Sequence, residues 1–103
     1  MKPEEAYASA RKEYATRRDI YGADALAWTA LKAGKLSEAR SAMKEALRLG
    51  TKDAKLFFHA GMIANVSGDN AAARDFLNRA LTINPQFDPL QTPIAQKVLL
   101  ALH

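Results

Sequence analysis

Leu36, Ala39, Met43, Ala46 and Leu47 follow a 3–4–3–1 step, which places them on one stripe of a helix. The stripe returns 34 residues later as Ala73, Leu77, Ala80 and Leu81. The spacing predicts helices over 36–49 and 70–83. Four further helices complete the chain. Ala6, Ala10 and Tyr14, four apart, predict a helix over 4–17. Asp19 is placed to cap a helix over 20–33 that Gly34 ends. Leu56, Phe57, Ala60, Gly61 and Ala64 share one face of a helix over 53–67, after which Gly68-Asp69 supplies a stop and a new cap. Asn84-Pro85 interrupts the helical pattern, because the residue before a proline is pushed away from helical geometry. A turn-rich connector over 86–92 leads to Thr92-Pro93, which reads as an N-cap with proline in the first turn. The last helix is then expected over 93–102, with Ile94, Ala95, Val98, Leu99, Ala101 and Leu102 on its apolar side. No alternation of period two occurs, so no sheet is expected.

A unit of about 34 residues made of two short helices cannot bury its own apolar face, and such units stack on copies of themselves. The expected fold is all-α, an antiparallel helix-hairpin stack of five or six helices in one domain over 1–103. Its parts are a partial repeat helix at 4–17, repeats at 20–53 and 54–87, and a capping helix at 93–102. Small residues at Ala39/Ala46 and Ala73/Ala80 mark where two helices approach closely, with Met43, Leu47, Leu77 and Leu81 filling the space beside them.

These positions resemble the tetratricopeptide repeat, whose 34-residue helix–turn–helix unit carries a W-x2-L-G-x2-Y…A-x3-F…A…P pattern. In 54–87 the pattern falls on Phe57, Ala60, Gly61, Ala64, Ala73, Leu77, Ala80 and Pro85. In 20–53 it falls on Ala23, Leu26, Ala27, Ala30, Ala39, Met43, Ala46 and Thr51, which replaces the first large residue, the glycine and the aromatic by alanine and the proline by threonine. The helix at 4–17 resembles the second helix of a preceding repeat, with Met1 where the turn glycine would stand. A fragment of a longer repeat array is therefore expected.

The resemblance implies a right-handed α-solenoid acting as a non-catalytic protein-interaction module. Its partner, a peptide or helix of another protein, would lie in a concave groove lined by the first helix of each repeat. The groove positions are Tyr21, Asp24, Trp28, Leu31 and Lys32 in the first repeat, and Lys55, Phe58, Met62, Asn65 and Val66 in the second. Their aromatic and methionine content suits an apolar or helical peptide. Trp28, Phe58 and Met62 have a second reading as packing residues. Members that hold acidic chaperone tails use a Lys/Asn/Arg clamp on this wall. Asp24 and Trp28 occupy its first two positions here, so that specialisation is not implied.

The chain of 103 residues is 49% apolar and 25% charged, within the range of one compact domain. Its net charge of +4 is uneven: residues 1–52 hold eleven Lys/Arg against seven Asp/Glu, and residues 53–103 hold four of each. Arg11, Lys12, Arg17 and Arg18 raise a nucleic-acid alternative, against the reading that late-helix cations offset the helix dipole. Homodimerisation is another alternative, through Leu99 or Leu100 of the last helix or through Tyr7, Ala10 and Tyr14. No apolar run is long enough to span a bilayer, and no signal-like stretch follows Met1, which slightly favours the cytoplasm. There is no phosphate loop, nucleophile elbow, cysteine or metal-ligand cluster, so no enzyme activity, cofactor or metal is expected. His59, between Phe58 and Ala60, reads as a partly buried helix residue, and His103 stands last.

Overall fold

The computed structural model describes residues 2–102, and these hold six α-helices. They are α1 (Pro3–Thr16), α2 (Ile20–Lys32), α3 (Leu36–Ala46), α4 (Ala54–Val66), α5 (Asn70–Ile83) and α6 (Gln91–Ala101). No strand occurs among the described residues. Met1 and His103 lie outside them, so the alignment of Met1 with a turn glycine and the reading of His103 do too. The chain divides into two compact units, Met1–Thr51 and Lys52–His103. In the first unit α1 packs against α2 and α2 against α3. In the second α4 packs against α5, and α6 meets α5 more sparingly.

Side-chain caps explain several of the helix starts. Asp19 accepts a hydrogen bond from the Gly22 N–H at 2.6 Å and opens α2. Asp53 accepts from Lys55 and Leu56 and opens α4, and Asp69 accepts from Ala72 and opens α5. In α1, Pro3 sits in the first turn with Glu4 and Glu5, where acidic charge is favourable. Lys35, which precedes α3, makes no side-chain cap.

Both hairpins turn by the same backbone device. Gly34 and Gly68 hold φ of +76° and +81°, the left-handed region that glycine enters without steric cost. The next residue then closes a six-residue ring: Lys35 N–H donates to the Ala30 carbonyl at 2.8 Å, and Asp69 N–H to that of Ala64 at 3.0 Å. A three-residue turn thus folds α3 back onto α2, and its counterpart folds α5 back onto α4.

The repeated stripes form the core. Ala39, Met43 and Ala46 are buried, as are Ala73, Leu77 and Ala80, with Leu36, Leu47 and Leu81 half-buried at their margins. Leu56, Phe57, Ala60, Gly61 and Ala64 are all buried on α4. Gly61 allows the closest approach: a Cβ there would stand 2.7 Å from both Cγ and Cδ2 of Leu77. Phe57 stacks on Phe76, ring centroids 6.1 Å apart, which joins α4 to α5 a second time.

Four expectations are corrected. Helix α3 ends at Ala46 rather than at residue 49, because its last bonds tighten to three-residue spacing, Arg48 N–H to Glu45 O and Gly50 N–H to Leu47 O, both at 3.1 Å. Helix α6 begins at Gln91, and its start is organised by Asp88 rather than by Thr92. The Asp88 carboxylate accepts from the N–H groups of Leu90 and Gln91, and the Thr92 hydroxyl accepts from the Asp88 N–H. On α1 the buried residue is Tyr7, while Ala6, Ala10 and Tyr14 are half-buried. The apolar side of α6 is also narrower than expected: Ala95 is buried, Val98, Leu99 and Leu102 are half-buried, and Ile94, Leu100 and Ala101 face solvent.

Candidate functional site

The first-helix row of the first unit runs along α2. Tyr21 is 60% exposed, Lys32 is exposed, and Asp24, Trp28 and Leu31 are half-buried. The Lys32 ammonium lies 5.1 Å from the centre of the Trp28 ring, one helical turn away, so the ring face is partly occupied by a cation from its own helix. Asp19 stands at the foot of this row. Its carboxyl is held below the ordinary value, first by the Gly22 N–H and then by the Arg17 guanidinium 3.3 Å away.

The corresponding row of the second unit runs along α4. Val66 is 56% exposed, Lys55 is exposed, and Met62 and Asn65 are half-buried. Phe58 is 1% exposed, and its ring centroid lies 5.5 Å from that of Phe87 in the α5–α6 connection. Its burial agrees with the second reading, in which it is a packing residue, and not with a place on the partner-facing wall. The Lys55 ammonium reaches Asp88 at 3.6 Å, tying the first turn of α4 to the start of α6. The Asp88 carboxyl is held low by the N–H groups of Gln91 and Leu90, with Lys55 adding to the effect.

His59 is buried on α4 with its ring 5.8 Å from that of Phe58. No group of three His, Cys, Asp or Glu residues among those described is arranged to hold a metal ion. No helix among the described residues is long and apolar enough to cross a membrane. Of the four cations noted near the start of the chain, Arg17 pairs with Glu13 at 3.5 Å and with Asp19, and Arg18 lies 5.7 Å from the Tyr14 ring centre. Arg11 and Lys12 are exposed. Arg17 is the C-cap of α1 and Arg18 follows it, at the negative end of the helix, whereas Arg11 and Lys12 lie before its last turn, where the dipole reading does not reach.

The first unit carries a further concavity that sequence reasoning missed. An open groove of about 460 Å³ lies among α1, α2 and α3, walled by Tyr7 and Tyr14 and reaching Leu26 and Ala42. Its only forewarning in the sequence is the seven-residue spacing of the two tyrosines, which puts both on one side of α1.

A family model described as "Tetratricopeptide repeat" matches residues 25–86, more than half of the chain. The chain belongs to the tetratricopeptide repeat family. The match runs from α2 into the connection after α5 and takes in both glycine-closed hairpins. Tetratricopeptide repeats generally mediate protein–protein interaction and are typically non-catalytic. No curated protein and no solved structure shows significant similarity to this chain.

Proposed function

We propose that this tetratricopeptide repeat chain is a non-catalytic module that binds a peptide or helical segment of another protein along the first helices of its repeats. The contact residues in this reading are Tyr21, Asp24, Trp28, Leu31 and Lys32 on α2, with Lys55, Met62, Asn65 and Val66 on α4. Phe58 is excluded from direct contact and supports the α4 row from beneath.

The observation that carries the reading is the exposure of Tyr21 and Val66, two large side chains that the core does not use, on first helices of a family that binds proteins. A tyrosine offers a rigid contact area with a polar tip, and methionine beside it adapts to the shape of a partner. A photo-crosslinking residue placed at Tyr21 or Val66, and in parallel at the exposed positions Ala71 or Asn78 on α5, tests it in a cell expressing the chain. A discrete protein adduct from positions 21 and 66, absent from 71 and 78, is the expected result. Adducts from α5 alone would overturn the assignment.

A further inference from the structure

The first unit presents a face that its own packing leaves open. The groove between α1 and α3 has Ser37 and Ser41 on its α3 edge, and the same two residues border a second depression on the outer side of α3. Arg40 and Lys44 complete that second surface. They stand four residues apart, about 6 Å along the axis of one helix. Neither makes an ion pair among the described residues, while their neighbour Glu45 is already engaged by Arg48 at 2.7 Å.

The second repeat shows that the fold does not require these charges. Ser37, Ser41, Lys44 and Arg48 correspond, 34 residues on, to Ala71, Asp75, Asn78 and Thr82. Only Arg40 has a cationic counterpart, Arg74, and Asp75 there is paired with Arg79 at 3.1 Å. Lys44 lies in the last turn of α3, where a cation is favoured by the helix dipole, yet α5 forms without one. Two free cations beside two serine hydroxyls make a surface suited to carboxylates, and it adjoins an apolar groove with aromatic walls. Glu38 and Glu45 on the rim of that groove repel any anion, so the groove itself suits an uncharged apolar side chain and only the Arg40–Lys44 side suits carboxylates, whereas the continuous negative charge of a nucleic-acid backbone would meet both.

We propose that this face is a second docking surface, separate from the first-helix rows, for an acidic protein segment bearing one apolar anchor residue. The anchor enters the groove between Tyr7 and Tyr14, over Leu26 and Ala42. Neighbouring carboxylates meet Arg40 and Lys44, whose spacing matches acids two apart on an extended strand, about 6.6 Å, or four apart on a helix. The surface stands whether or not the first-helix rows bind a partner.

The probe is a fluorescein-labelled pentapeptide of four aspartates around a central phenylalanine, titrated at low salt by anisotropy, with amide shifts mapped by NMR. Binding is expected with shifts centred on α1 and α3 and reaching Leu26 on α2, weakening as salt rises. R40Q/K44Q, which keeps side-chain size and helix propensity, should weaken binding about tenfold, and R40E/K44E by more. Replacing the phenylalanine by alanine should also weaken it, and Arg74→Glu should leave it unchanged. Circular dichroism checks that each variant is folded, and the R40Q/K44Q result decides if the charge reversal is not. Absence of binding at millimolar peptide, undiminished binding by folded R40Q/K44Q, shifts centred on α2 and α4, or tighter binding of a twelve-nucleotide single strand would each overturn the proposal.

Discussion

The two repeats share a backbone plan and differ in how they fill it. Both end their first helix with a left-handed glycine and the same six-residue ring, at Gly34 and Gly68. In the second repeat Gly61 leaves no room for a Cβ against Leu77, and Asp69 caps the second helix. In the first, Ala27 replaces the glycine, Met43 the leucine and Lys35 the aspartate, and the second helix is 11 residues long rather than 14. An unbranched methionine tolerates a methyl group opposite it where a branched leucine in close contact does not. The repeat is therefore defined by its turn, while side-chain size is exchanged in compensating pairs on either side of the hairpin.

The largest effect that would break this comparison is expected at Gly61. Gly61→Ala gains about 1 kcal/mol of helix propensity but drives a Cβ into Leu77, whose side chain is fully buried, and a net loss of about 1–3 kcal/mol is expected. Ala27→Gly should cost only about 1 kcal/mol, chiefly through propensity. Urea unfolding of both variants measures the difference. A neutral Gly61→Ala would show that the close approach is dispensable.

The caps sharpen the same contrast at a smaller scale. Asp69→Ala should destabilise by about 1 kcal/mol. Lys35→Asp, which brings the capping residue into the first repeat, should stabilise by about 0.5 kcal/mol, since the gain is offset by loss of the Lys35 ammonium 5.6 Å from the Tyr7 ring centre. Thermal melts resolve both signs, and a less stable Lys35→Asp would mean that the contact with Tyr7 outweighs the cap.

The smallest effect is a pH dependence that each unit carries separately. Asp19 and Asp88 are both held below the usual carboxyl value of 3.8. Each therefore contributes stability that is present above that pH and lost as the pH falls through the lowered native value. Melting temperature should decline on acidification below about pH 4, with a shallower slope in Asp19→Asn and Asp88→Asn. Unchanged slopes would remove these carboxylates from the account of acid stability.

Much of the scaffold was legible because its signals are local. Glycine after a helix, aspartate before one and alanine at a fixed interval each act through the nearest few residues, and helix α5 falls at 70–83 as its pattern predicts. The start of α6 was misread because Asp88-Pro89 and Thr92-Pro93 carry the same kind of signal four residues apart. Only the backbone hydrogen bonds to Asp88 distinguish them. Phe58 was less legible still. Whether an aromatic on the flank of a stripe meets solvent or another ring depends on Phe87, 29 residues away, and no helical period contains that information. The groove between Tyr7 and Tyr14 was hidden for the same reason, since a concavity belongs to three helices at once.

Gly34 and Gly68 disfavour other residues by handedness rather than by space. A Cβ built at either position finds no atom beyond its chain neighbours within 4 Å, so there is room for a side chain and it is the positive φ that strains an L-amino acid. A mirror-image alanine, whose preferred dihedrals are those these glycines already adopt, would fit both turns unstrained and would restrict the unfolded chain more than glycine does. The two hairpins are thus natural seams for joining synthetic segments, places where stereochemistry can be inverted without disturbing the packing on either side.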